Sequence, residues 1–320
     1  MPVKELKLAP GKSPLIFEAP ISTRKNNKRR IFACLVATAL LGLCFSVPIY
    51  HLLRLAFTDD LYSDVPLIPF VSAYLVWLRR HRMPVSFEPA PVPAALFSLA
   101  GLVVVAAGWF SFHEAAPPGE DSLALNILAL LLLFVGICFV FLGKAFIRAF
   151  ALPVAMLGFA VPFPTAVRQG IETLLQHGSA AFAALFFGLA GDPVIRDGLV
   201  FHLPDISIRV APECSGIHST LVLTIVSVAG SWLFLRTPWK RAVLVLAVIP
   251  LALMRNGFRI FVLGRLCIAF GPQMLDSQIH HHGGPIFFAL SLLPFFLLLL
   301  FLRKTERPRP NREPLTKPSL

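Results

Sequence analysis

Long apolar runs separated by short polar clusters dominate the chain. Stretches at roughly 31–53, 65–78, 92–111, 122–143, 147–164, 215–235, 241–263 and 285–302 carry almost no charge. Apolar runs of about 18 residues or more are long enough to cross a bilayer as helices. The pattern predicts an all-α polytopic membrane protein with about eight transmembrane helices, the second short or interfacial. Residues 166–190 form a different unit, a helical pattern with a polar start, which predicts a helix lying in the membrane interface. Residues 192–212 alternate apolar and polar positions around an Asp-Gly and a Pro-Asp pair, which predicts a small β-hairpin. No internal repeat is seen.

The polar clusters divide the chain. Residues 1–30 are polar, proline-bearing and end in "RKNNKRR"; residues 303–320 are again basic and proline-rich. Both read as cytoplasmic tails around a membrane-embedded unit at 31–302, with 165–213 as an extracytoplasmic insertion. The first apolar run is too long for a cleavable signal. With the amino-terminal tail inside, the acidic "FTDDLYSD" and "HEAAPPGEDS" loops fall outside. "RRHR", "GKAFIR", "RTPWKR" and "RKTERPRPNR" all fall inside. Every strongly basic short loop thus lands in the cytoplasm, as the positive-inside rule requires, and both termini with it.

Composition agrees. The chain of 320 residues is 56% hydrophobic, with only 14% charged residues and a mean hydropathy of +0.75. A soluble protein of this size could not hide so much apolar side chain. The formal net charge of +12 raises the question of nucleic acid. The charges cluster at span ends and tails, so the lipid bilayer is the expected partner and nucleic acid is not. Five cysteines occur, Cys34, Cys44, Cys138, Cys214 and Cys267, with no CxxC spacing and an odd count. That pattern argues against a disulfide framework or a zinc site. Four lie in apolar runs, where cysteine behaves as a small hydrophobe. Cys214 alone has polar neighbours, in "VAPECSGIHS".

Topology puts three chemically useful groups at one membrane depth. Cys214 stands at the outer end of the sixth span. Arg259 lies eighteen residues beyond Arg241, roughly 27 Å up a helix rising about 1.5 Å per residue. Arg255 lies one turn below it on nearly the same face. "IHHHGG", residues 279–284, precedes the last span. A thiolate nucleophile, a cation that lowers its pKa and a proton-moving histidine make up the set that cysteine chemistry needs. Each also has a plainer reading. A cysteine at a helix end is more often structural, an arginine at a span end is usually a snorkelling anchor, and a histidine cluster can hold a metal. Adjacent histidines on one loop do not easily reach one ion, and no second ligand group accompanies them. A transporter, or a non-catalytic assembly factor for envelope polysaccharide export, fits the same topology. No charge lies clearly mid-span and no inverted repeat appears, which weighs against the transporter.

Four stretches carry a family resemblance: "YSDVPLIPFVSAYLVWLRRHR" from Tyr62, "ALPVAMLGFAVPFP" from Ala151, "VAPECSGIHS", and "NGFRI" at Asn256 with "HHHGGPIFF" at His280. Together they resemble the exosortase/archaeosortase family of membrane cysteine transpeptidases over roughly residues 55–302. The resemblance implies Cys214 as nucleophile with Arg259 and His280 as its catalytic partners. His280 is favoured over His281 because Gly284 follows four residues later. Arg255, Asn256, Gly216 and Gly284 are supporting motif positions. Two residues depart from the family pattern. Asp64 stands where many members have histidine, and Glu213 stands where a small residue is common. A carboxylate at 213 would raise the thiol's pKa unless paired with Arg255 or Arg259. The resemblance further implies an enzyme of the bacterial inner membrane whose active site is extracytoplasmic. Its substrates would be membrane-anchored or secreted proteins with C-terminal sorting signals: a Pro-Glu-Pro-like motif, a transmembrane helix and a basic cluster. No metal and no organic cofactor are implied.

Overall fold

The computed structural model describes residues 21–112, 119–203, 207–212, 215–271, 273 and 284–306. They form twelve α-helices and one small sheet. The helices are α1 (Ile21–Cys44), α2 (Ser46–Thr58), α3 (Leu67–Leu78), α4 (Pro91–Phe112), α5 (Glu120–Phe141), α6 (Gly143–Ala149), α7 (Ala151–Met156), α8 (Thr165–Ala190), α9 (Ile217–Phe234), α10 (Pro238–Leu246), α11 (Val248–Phe270) and α12 (Gly284–Lys304).

Among the described residues, seven helical segments are long and apolar enough to cross a membrane, and two bent pairs raise the number to nine if each counts as one span. Every predicted span has a counterpart among these. Two are broken. The first bends by 74° between α1 and α2, and the fifth bends by 76° between α6 and α7. The breaks sit at Phe45 and Phe150, each three residues before a proline, Pro48 and Pro153. Proline lacks the N–H that would bond the carbonyl four residues back, and its ring crowds that carbonyl. The chain therefore ends one helix and starts another with the proline in the new first turn, where no donor is missed. The α10–α11 junction at Ala247 has the same offset from Pro250 but continues as one span, Pro238–Phe270.

Residues 166–190, expected at the interface, lie in α8, a helix with the length and hydropathy of a span. Its contacts locate it. The Thr165 N–H donates to Asp121 Oδ1 at the start of α5, 2.6 Å away. Farther along, α8 runs parallel to α11: Gly178 meets Leu253, Gly257 meets Phe182 and Ala183, and Gly264 meets Phe187. The end of α8 thus lies beside the end of α11, where Arg265 pairs with Asp192. The expected hairpin is a three-stranded antiparallel sheet: β1 (Ile195–Asp197), β2 (Val200–His202) and β3 (Ser207–Arg209), in that order. Phe201 and Ile208 point from it into a core with Phe187, Ile260 and Cys267.

The basic loops gather at one end of the bundle. Asn27 and Arg30, in α1, donate to the Val85 and Phe87 carbonyls. Arg79 donates to the Trp232 carbonyl and stacks on its ring at 3.5 Å. Burial, together with Arg82 and Arg241 nearby, lowers its pKa. Lys240 donates to the Leu302 carbonyl, and Glu306 accepts from the Arg236 and Thr237 N–H groups. The α5–α6 corner closes this end. Gly143 has φ +79°, and a Cβ there would lie 1.8 Å from the Glu88 carbonyl oxygen. Left-handed backbone and this approach both require glycine. Gly143→Ala should therefore cost roughly 2 kcal/mol or more. Thermal unfolding in detergent checks this, with Gly42→Ala, which meets nothing within 4 Å, as the variant that loses no stability.

Candidate active site

The opposite end of the bundle is acidic and hollow. A helical turn at Asp60–Tyr62 and the starts of α8, α9 and α12 surround a cavity of about 920 Å³. Its walls include Asp64, Arg168, Glu172, Gly216, His218, Arg259 and Gly284. On one side Arg168 bridges Glu120 at 3.4 Å and Glu172 at 3.8 Å. This ties the polar first turns of α8 to the head of α5.

The turn entering α9 is held from beneath by α11. The Ser215 N–H bonds the Pro212 carbonyl at 2.9 Å, which tightens the chain before the helix. Gly216 takes φ +75° and ψ 22° as the N-cap. Asn256 Nδ2 donates to the Ser215 carbonyl at 3.1 Å and to Ser179 Oγ at 3.1 Å. Arg255 Nη2 approaches the Gly216 carbonyl at 3.4 Å. A Cβ at Gly216 would stand 3.1 Å from Arg255 Nη2 and 3.3 Å from the Asn256 amide carbon. Backbone conformation and space both exclude a side chain there.

Burial makes this clamp consequential. Ser215 is 1% exposed, Asn256 3% and Arg255 7%. Among the described residues, Arg255 Nη1 and Ser215 Oγ have no hydrogen-bond partner. A buried guanidinium left with an open N–H is costly unless something negative or polar meets it. One turn further along α11, Arg259 lines the cavity itself. The two arginines thus divide: Arg255 lies under the turn, Arg259 at the cavity wall.

Of the sequence-predicted site residues, the fold brings together Gly216, Arg255, Asn256, Arg259 and Gly284. Glu213, Cys214, His280 and His281 lie outside the described residues. Ser215 and Gly216 directly follow Cys214 in the chain, and Gly284 follows His280 by four residues. Phe287 meets Phe258 edge-on at 6.3 Å and Phe288 lines the cavity, which fixes the head of α12 against α11. Among the described residues no group of three or more His, Cys, Asp or Glu is arranged to hold a metal ion.

The sequence reading missed one pair. His218 Nε2 lies 2.8 Å from Asp64 Oδ2, with Ser63 Oγ at 3.4 Å. Both side chains line the cavity. Asp64 and His218 each stand inside a quoted motif, but 154 residues separate them, and no periodicity joins the two motifs.

Neither a curated protein nor a solved structure matches the chain. The family model described as transmembrane exosortase (Exosortase_EpsH) matches residues 56–297, which include the cavity, the α11 clamp and the head of α12. The chain therefore belongs to the transmembrane exosortase family, a family of membrane cysteine transpeptidases.

Proposed function

We propose that the protein is a protein-sorting transpeptidase of the bacterial inner membrane. It cleaves C-terminal signals built from a short Pro-Glu-Pro-like motif, a transmembrane helix and a basic cluster. One observation carries the reading. The chain segments flanking Cys214 and His280 meet Arg259 at a single cavity, at the end of the bundle opposite the basic loops. A substrate helix whose basic tail sits among cytoplasmic headgroups would present its motif at that cavity.

In this reading the Cys214 thiolate attacks the scissile carbonyl. The C–N bond breaks, a thioacyl link to Cys214 forms, and His280 delivers a proton to the leaving amine. An acceptor X–H then attacks the thioester through X, gives its proton to His280, left neutral by the first step, and releases the thiolate. Arg259 stabilises the thiolate and the oxyanion that develops on the substrate carbonyl. Asn256 and Arg255 hold the Ser215–Gly216 turn that directly follows Cys214 in the chain.

The reading requires the cavity to face the cell exterior. A membrane-impermeant thiol reagent should label Cys214 in intact cells and should not label a cysteine substituted for Thr237, which lies at the basic end. Labelling at position 237 with none at Cys214 would invert the topology and exclude a role in sorting exported proteins.

A further inference from the structure

We propose that Asp64 and His218 form a second acid–base pair in the cavity, with His218 taking the proton from the acceptor as it attacks the thioester. This rests on the transpeptidase reading above and moves the proton transfer of the second half-reaction from His280 to His218. The geometry fixes which atom acts. Asp64 Oδ2, an acceptor when ionised, holds Nε2 at 2.8 Å, so Nε2 carries the ring proton. Nδ1 then keeps its lone pair and is the atom that accepts a proton. A carboxylate on one imidazole nitrogen sets the tautomer and stabilises the imidazolium that forms.

His218 is the second residue of α9, in its first turn, and its side chain lies at the cavity wall. The charged groups lining the same cavity are Asp59, Asp60 and Asp64 from the segment before α3, Arg168 and Glu172 from α8, and Arg259 from α11. The head of α12 contributes Gly284, Pro285 and Phe288, none of them charged. The pair is also within reach of solvent and reactants: the side chains are 40% and 31% exposed. Glu172 and Arg168 engage one another, and Arg168 also engages Glu120. Among the described residues of the cavity, His218 alone is an imidazole, and a carboxylate holds one of its nitrogens.

The step balances. The acceptor X–H, an amine or water, bonds through X to the thioester carbonyl carbon as its proton moves to His218 Nδ1. The C–S bond breaks, and Cys214 leaves as thiolate. The imidazolium then releases its proton to the thiolate or to water.

The test separates the two half-reactions. The full chain in proteoliposomes is given a tagged substrate with a complete C-terminal signal, with and without glycinamide as acceptor. Thioester formation on Cys214 and the release of free acid and glycinamide adduct are followed separately across pH. His218→Gln should slow the release of both products by about 10²-fold. It should leave thioester formation within a few-fold of wild type, so that the thioester accumulates, and the ascending limb of the pH–rate profile for release should vanish. Asp64→Asn keeps the shape and loses the charge, and should slow release less while the limb persists in shifted form. Release at the wild-type rate in His218→Gln overturns the pair alone. An equal loss in both half-reactions, without a change in pH profile, assigns His218 to structure and also overturns it. Absence of a Cys214 thioester in the wild-type protein removes the transpeptidase reading itself, independently of any His218 variant.

Discussion

Cys214→Ala should abolish substrate processing, with a loss of about 10³-fold or more and no change in membrane levels. Removing the attacking atom of a covalent mechanism leaves only the contribution of binding and oxyanion stabilisation. The described contacts of the turn after Cys214 run through other residues. Asn256 bonds the Ser215 carbonyl, Arg255 approaches the Gly216 carbonyl, and Ser215 closes its own turn onto Pro212. The other cysteines have different environments. Cys34 and Cys138 share one apolar cluster, Cys267 packs beneath the sheet, and Cys44 is exposed at the end of α1. Alanine or serine at these four should cost packing at most. Processing of a tagged substrate, measured in each single variant, checks the assignment. Loss at Cys138 with activity retained at Cys214 would contradict it.

Arg259→Lys should slow processing by about 10²-fold at normal expression. A guanidinium presents a planar fork of donors that can hold a thiolate or oxyanion and a second acceptor together, whereas an ammonium is a compact point charge. Arg259 lines the cavity. Arg255→Lys should behave differently. Arg255 is 7% exposed and approaches the Gly216 carbonyl from below. Shortening it empties part of a buried site, so the loss should appear first as lower thermal stability and only secondarily in rate. Rates and melting temperatures of the two variants, measured side by side, separate these roles. A larger rate loss at Arg255 would move the catalytic function one turn down α11.

Much of this arrangement is legible in the sequence because a bilayer tolerates few alternatives. Continuous apolar runs must be helices, and basic loops must share a side, so the gathering of Arg30, Arg79, Lys240 and Arg303 near one end follows from hydropathy and charge alone. The breaks at Phe45 and Phe150 were also within reach. Pro48 and Pro153 mark them, but an averaged hydropathy pattern does not register a proline in a first turn. α8 was harder. Arg168, Gln169 and Glu172 give it the polar start of an interfacial helix. In the fold Arg168 and Glu172 line the cavity, and Arg168 also pairs with Glu120. At the site, Gly216, Arg255, Asn256 and Arg259 could be read because each belongs to a short motif whose spacing is helical. The Asp64–His218 contact could not, since only the packing of the α2–α3 connection against α9 brings the two motifs together.

A cysteine transpeptidase mechanism requires that Cys214 carry an acyl group cut from a sorting signal. The most direct measurement is intact-protein mass spectrometry of an acid-quenched reaction between the purified chain and a tagged substrate ending in motif, apolar helix and basic cluster. The account predicts an adduct with the mass of the substrate's amino-terminal fragment, located on the peptide that contains Cys214, released by hydroxylamine as a hydroxamate and absent from Cys214→Ala. Cleaved substrate formed at the wild-type rate by Cys214→Ala, with no hydroxylamine-sensitive adduct on the wild-type chain, would contradict it.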